Sequence, residues 1–191
     1  MTLVSRPVQP WPHAFDWLGP EVDPLRRRIL ARSHLDIGIL EVPKGSNRGV
    51  RIDTYLRRAR VPEALIEAGK GYWCAAWAGA VFIDAGAKIP ADYGSCDAWL
   101  PYLVPCPLAE LPTVGQPGDA VLYGKRRPDG TLDAQHIGIL WRLDPQVLSC
   151  EGNRGLGATP TNNGTAVDVD EVTRADVLGV VRPVAAPEAF G

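Results

Sequence analysis

The run Tyr72-Trp-Cys-Ala-Ala-Trp77 sets a cysteine at the start of an apolar stretch that reads as a buried helix. Backbone N–H groups at a helix N-terminus are unpaired and carry partial positive charge. They therefore favour thiolate over thiol and offer donors to a developing oxyanion. Cys74 stands where a nucleophile would, although a small hydrophobe packed in a core is the commonest fate of a free cysteine. A base is available in Asp133-Ala-Gln-His136-Ile-Gly-Ile-Leu-Trp141, read as an apolar strand that begins at His136. An imidazole at a strand mouth can project toward a helix N-terminus and take the proton of a thiol there. A hydrogen-bonded strand-end histidine is the alternative. His13 falls in a proline-rich arm and His34 in an arginine-rich helix, so His136 is the candidate base. A third group should orient the imidazole. Leu148-Ser-Cys-Glu151-Gly-Asn153-Arg ends the next strand with two candidates, placed two residues apart and so on one face of an extended chain. Either Glu151 or Asn153 meets the need, and Gly152, Asn153, Gly155 and Gly157 together also read as a turn.

The elements that must carry these residues divide the chain in two. Residues 1–23 hold Pro7, Pro10, Pro12 and Pro20 and read as a surface arm. Pro24 to Leu35 predicts an amphipathic helix with proline in its first turn, Arg51 to Arg60 a second helix and Pro62 to Ala68 a short third. Trp73 to Ala85 is apolar all round until Asp84, with Gly86 placed as a C-cap, and reads as the central buried helix. Ser95 to Leu100 is a possible short helix, and the stretch through Pro101, Pro105, Pro107 and Pro112 is expected to be irregular. From Gln116-Pro-Gly-Asp119 onward the signals turn to strands: 120–123, 136–142, 146–151, 166–172 and 177–181. Helices first and strands second predict an α+β domain over 24–183, an antiparallel sheet covered by helices, with 184–191 as a tail.

Composition narrows the function classes. The chain has 191 residues, 46% apolar and 22% charged, with a net charge of -2, which predicts a soluble globular domain with no broad electrostatic footprint for nucleic acid or an anionic membrane. The longest apolar run, Trp73 to Ile83, is far short of the roughly 20 residues that span a bilayer, so no membrane insertion is expected. Cys74, Cys96, Cys106 and Cys150 form no C-x-x-C pair, and with three histidines they make a structural zinc site improbable; no metal or cofactor is expected. A Cys96–Cys106 disulfide is an option in an oxidising setting. The glycines after Glu151 do not follow G-x-G-x-x-G and lie in no βαβ unit, which rejects a dinucleotide site. Asn163-Gly-Thr165 matches a glycosylation sequon but reads as turn chemistry. The N-terminal residues lack a basic stretch followed by a continuous apolar one, so synthesis without an ordinary secretion signal is expected.

Cys74 at a helix start, Gln116-Pro-Gly-Asp119 opening the sheet, His136-Ile-Gly-Ile139 and Glu151-Gly-Asn153 resemble, in that order, the CHAP and NlpC/P60 peptidoglycan hydrolases, a papain-like cysteine peptidase superfamily. The upstream Glu41-Val-Pro-Lys-Gly-Ser-Asn-Arg-Gly49, with Ile52 and Tyr55 and then Tyr72-Trp-Cys-Ala-Ala, looks like a CHAP-type subfamily of phage and prophage lysis proteins. The resemblance spans about residues 36–183. It implies a papain-like fold and a Cys-His-Glu-Asn quartet carried by Cys74, His136, Glu151 and Asn153. Papain-type enzymes often add an upstream glutamine to the oxyanion hole, and none lies between Gln9 and Gln116. The hole is then expected from the Cys74 N–H and another donor, with Tyr72 the candidate and Trp73 beside it. The polar loop of Glu41, Asn47 and Arg48 is expected to wall the cleft or touch substrate, unless Gly45-Ser-Asn is ordinary turn chemistry.

A monomer is expected, and the resemblance further implies that it cuts an amide of peptidoglycan. That amide joins glycan to the first stem residue or lies within the stem or cross-bridge. Without a signal, such an enzyme reaches the wall through a holin-like pore, a dedicated secretion machine or lysis. Two rivals use the same chain differently: a cysteine toxin or effector that deamidates or transglutaminates a host protein, and a catalytically silent wall-binding domain.

Overall fold

The computed structural model describes residues 18, 22–154, 164–173 and 175–187. Most of the 1–23 arm, Gly155, Gly157 and the sequon's Asn163 therefore lie outside the described residues. Within them, helices α1 (Pro24–His34), α2 (Val50–Arg58), α3 (Glu63–Glu67) and α4 (Cys74–Ala85) precede most of the sheet. Strands β1 (Leu103–Pro105), β2 (Ala120–Arg126), β3 (Leu132–Arg142), β4 (Leu148–Arg154), β5 (Ala166–Glu171) and β6 (Val177–Val181) form one antiparallel sheet in the order β1-β6-β2-β3-β4-β5. The fold is α+β. Among the described residues no helix is long and apolar enough to cross a membrane.

Local sequence explains where α1 and α4 begin and end. Asp23 Oδ1 accepts the Leu25 N–H at 2.6 Å, and Pro24 occupies the first turn, where its missing N–H costs nothing. Helix α4 ends at Gly86, whose φ of 85° is the left-handed cap conformation that glycine adopts without a Cβ clash. Arg28 Nε donates to the last carbonyl, Ala85 O, at 2.8 Å, which ties α1 to the end of α4. Almost every residue of α4 is buried, because α1 and α2 pack on one side and β3 and β4 on the other. The approach to β4 is as close as it is because residue 152 is glycine. A Cβ there would lie 3.0 Å from both the Trp73 ring and Trp77 Cβ.

The proline-rich stretch is not irregular as expected. It forms β1, a 3-10 turn at Leu108–Glu110 and a short helix α5 (Leu111–Val114), and it covers the sheet face opposite α4. Three of its prolines sit where no backbone donor is needed: Pro105 ends an edge strand, Pro107 caps the 3-10 turn, and Pro112 lies in the first turn of α5, while Pro101 falls inside the preceding 3-10 turn Cys96–Tyr102. Residues 38–41 run along the free side of β5, exchanging Gly38 N–H to Val167 O, Val167 N–H to Ile39 O and Glu41 N–H to Thr165 O. That segment shields an edge strand and carries the polar loop to the start of α4.

Candidate active site

Cys74 opens α4 on the floor of a cleft of about 500 Å3 whose walls include Lys70, Tyr72, Ser95, Cys96 and Gln135. The residue before it, Trp73, is fully buried, and its indole Nε1–H donates to Glu41 Oε1 at 2.9 Å, which fixes where the helix starts. No side chain caps that first turn, and the Ala75 N–H bonds the Cys74 sulfur.

His136 is not the first residue of its strand, because β3 starts four residues earlier, at Leu132. It reaches the site through a β-bulge. Tyr123 pairs with His136 and Gly124 with Ala134, so Gln135 is an extra residue with no partner in β2. A bulge of this kind re-aims neighbouring side chains. Here it turns Gln135 to the cleft wall and leaves His136 buried against β4. His136 Nε2 lies 2.9 Å from Glu151 Oε2, so the carboxylate holds the proton on Nε2 and leaves Nδ1 as the ring nitrogen available to Cys74.

The Glu151 carboxylate is held on several sides. Tyr123 Oη–H donates to Oε1 at 2.8 Å, Ser149 Oγ–H donates to the same oxygen at 2.5 Å, and Arg154 Nη1 is 3.5 Å from Oε2. Gly138 lies opposite Glu151 across the β3/β4 ladder, where a Cβ would be 2.7 Å from Glu151 Cγ. The glycine of His136-Ile-Gly-Ile139 thus makes room for the carboxylate.

Electrostatics follow from this packing. Burial pushes the Glu151 carboxyl up, but the His136 hydrogen bond and the charges of His136 and Arg154 outweigh it and hold the group at about 2. For His136, burial disfavours the charged ring, yet the charge and hydrogen bond of Cys74 and those of Glu151 raise it to about 9. The Cys74 thiol is held well below its ordinary value, first by a hydrogen bond from Cys96, then against burial by the His136 charge and the Ala75 N–H. All three shifts favour the charged forms: thiolate at Cys74, imidazolium at His136 and carboxylate at Glu151. A thiolate beside an imidazolium is an arrangement that can supply a nucleophile and a general acid.

Asn153 is fully buried at the end of β4 but is not on an uninterrupted face with Glu151. The register shifts between Glu151 and Arg154, and Asn153 has a left-handed φ of 59°, so the expected two-residue alternation stops there and Arg154 swings toward Glu151 instead. Tyr72 stands exposed on the cleft rim. Glu41, Asn47 and Arg48 do not line the cleft. Asn47 Nδ2 donates to Gly69 O at 3.0 Å, while Arg48 pairs with Asp53 at 2.9 Å and donates to Glu67 O, so the loop buttresses α2 and α3. Cys96 lies beside Cys74, 3.7 Å between sulfurs, and all four cysteines are free, so the Cys96–Cys106 pairing is not made.

Sequence reasoning missed Cys96, Tyr123, Ser149 and Arg154. Ser149 carried a readable signal, since it lies two residues before Glu151 on one strand. Among the described residues no three His, Cys, Asp or Glu side chains converge as a metal site would require. No protein-family model, curated protein or solved structure matches this chain.

Proposed function

We propose that the chain is a cysteine hydrolase of amide bonds acting through a thioester, with the papain-like division of a helix-borne thiol and a sheet-borne imidazole. The observation that carries this reading is the buried row Cys74, His136 and Glu151 ending on an open cleft. The Cys74 thiolate attacks the amide carbonyl. N–H groups at the start of α4, the Cys74 N–H first, receive the developing oxyanion, and His136 gives its proton to the leaving amine. The neutral imidazole then takes a proton from water, which opens the thioester and releases the acid. Glu151 keeps the ring oriented and its charge stabilised throughout. Gln135 and Tyr72, on the cleft walls, are the side chains placed to meet substrate.

The particular substrate we propose is peptidoglycan, cut at the muramoyl-alanine amide or within the stem or cross-bridge. The ordered resemblance of Cys74, 116–119, 136–139 and 151–153 to the CHAP type supports this choice. On this reading the enzyme acts on the wall as a monomer. The test is mass spectrometry of material released from purified peptidoglycan by the parent chain and by Cys74→Ala. A new amine and a new acid in equal amounts, from the parent alone, identify the bond. Equal release by both chains, or none by either alongside deamidation of a protein substrate by the parent, overturns the assignment.

A further inference from the structure

Cys96 has no part in the chemistry above beyond its S–H hydrogen bond, yet it is the one cysteine set against the nucleophile. Its sulfur is 3.7 Å from that of Cys74, and both side chains line the same cleft. Cys106 lies in the core on the far face of the sheet, and Cys150 is fully buried within β4. The placement of Cys96 is built by several contacts. A 3-10 turn, Cys96–Tyr102, is tied to β3 by Asp97 Oδ1, which accepts the Ala134 N–H at 2.8 Å. It is tied to α4 by the Trp99 ring, packed edge-on to Phe82, and to the loop before it by Trp99 Nε1–H donating to Tyr93 O. The Tyr93 ring fills the space over Gly79, where a Cβ would lie 2.0 Å from the ring. Gly79 thus lets the 93–96 segment settle on α4 close enough for the two sulfurs to meet.

Disulfide sulfurs lie about 2.05 Å apart, so closure needs an approach of about 1.7 Å, within reach of side-chain rotation in the cleft. We propose that Cys96 is a resolving cysteine, which joins Cys74 in a reversible disulfide when a hydroperoxide oxidises the nucleophile. In the first step the Cys74 thiolate attacks the peroxide oxygen. The O–O bond breaks, a sulfenic acid forms and, for hydrogen peroxide, water leaves once the departing oxygen is protonated. In the second, the Cys96 sulfur attacks the Cys74 sulfur as its proton leaves. The S–S bond forms and the sulfenic oxygen departs as water. Two thiols and one peroxide thus give one disulfide and two waters. While Cys74 is a thiolate, Cys96 is held protonated chiefly by the hydrogen bond it gives to Cys74. Conversion of Cys74 to a neutral sulfenic acid removes that restraint. A small thiol restores both groups by exchange, with Cys74, the more acidic thiol, as the leaving group. The bond caps the nucleophile before it reaches the irreversible sulfinic stage. That it also switches off hydrolysis rests on the function proposed above; the bond itself does not.

The experiment treats the full chain with hydrogen peroxide in small excess, enough for two oxidations per thiol, alkylates the remaining thiols under denaturing conditions and maps tryptic peptides by mass. Lys88 lies between the two cysteines, so trypsin separates them unless they are joined. The expected result is paired loss of Cys74 and Cys96 alkylation, a Cys74–Cys96 cross-linked peptide, and full recovery of both with dithiothreitol. The cross-link persists in Cys106→Ala and in Cys150→Ala. In Cys96→Ser, peroxide instead carries Cys74 to sulfinic acid and dithiothreitol does not restore it. Sulfinic acid on Cys74 of the parent chain with Cys96 still alkylated overturns the proposal, as does a cross-link that joins other cysteines or two chains. A Cys74–Cys96 cross-link in a chain that, when reduced, releases nothing from peptidoglycan supports the disulfide and overturns the hydrolase reading alone.

Discussion

Asp36 and Glu151 are buried carboxylates that each tie several elements together, and of the two only Glu151 belongs to the candidate site. Asp36 has no exposed surface and binds Arg32 at 2.7 Å, Arg51 at 2.8 Å and the Trp77 indole N–H at 3.0 Å, joining α1, α2 and α4. Glu151 is equally buried and joins β2, β3 and β4 through Tyr123, Ser149 and His136. Both satisfy the rule that buried charge must be paired and hydrogen-bonded. The difference is what the network ends on. Guanidinium groups stay protonated, so the Asp36 cluster fixes positions and exchanges nothing. The Glu151 network ends on an imidazole, which can lose its proton, and the imidazole fronts a thiol in a cleft. A buried charge marks a reactive site when its partner titrates and opens on space for a substrate.

The largest effect that sharpens this contrast is on chemistry. Cys74→Ala is expected to lower turnover on the order of a thousandfold or more with the melting temperature nearly unchanged, read by steady-state kinetics and calorimetry. Next is Glu151→Gln. On the proposed mechanism the basic limb of the rate profile follows His136, held at about 9, and loss of the carboxylate removes one of the interactions that raise it. The limb should move to lower pH and turnover should fall by about ten- to a hundredfold. Stability carries the same sign. The raised His136 contributes stability that is complete below 6.5 and lost as pH rises through about 9. The depressed Glu151 contributes stability present above 4.5 and lost as pH falls through about 2. In Glu151→Gln the alkaline loss, followed by melting against pH, should begin earlier.

Asp36→Asn breaks the other network and should act on stability alone. It leaves two guanidiniums facing an amide, at a cost of about 3 kcal/mol, with the basic limb unmoved. A shifted limb in Asp36→Asn, or an unshifted one in Glu151→Gln, would erase the distinction between the two clusters. Smaller still is Asn47→Ala, which removes the bond to Gly69 O and puts alanine, less tolerant of the left-handed region than asparagine, at a φ of 53°. About 1–2 kcal/mol of stability should go while KM holds, since the loop supports α2 and α3 and does not line the cleft. The smallest effect on the limb is expected from Asn153→Gly, which keeps the left-handed backbone and leaves Glu151 on the imidazole.

Periodicity and turn chemistry made much of this molecule legible. The capped run around α4, the helix from Pro24 and the strands from 120 to 181 could be read because proline, glycine and apolar spacing act locally. Cys74 was readable for the same reason, because it opens a helix, whereas His136, inside β3, and Glu151, in the middle of β4, were legible by residue type and order along the chain. What stayed hidden depends on contacts between distant segments. Insertion of β6 between β1 and β2 has no local signal. Cys96 meets Cys74 only because Tyr93 rests on Gly79 and Asp97 reaches Ala134. Arg154 enters the site through a bulge that breaks the alternation counted for Asn153. The polar loop of Glu41, Asn47 and Arg48 shows the converse case, in which conspicuous residue types turn out to be spent on support.

The central claim is that Cys74 is a thiolate paired with imidazolium in the resting protein, and its direct measurement needs no substrate. Each cysteine of the reduced chain is followed by mass spectrometry as iodoacetamide alkylates it across a pH series. Cys74 should react with a midpoint well below the ordinary cysteine value of about 8.5, and Glu151→Gln should raise that midpoint. Cys150, fully buried and pushed up by its surroundings, should stay unreactive over the same range. A Cys74 midpoint at or above the ordinary value, unchanged by Glu151→Gln, would contradict the ion pair and with it the catalytic reading of the site.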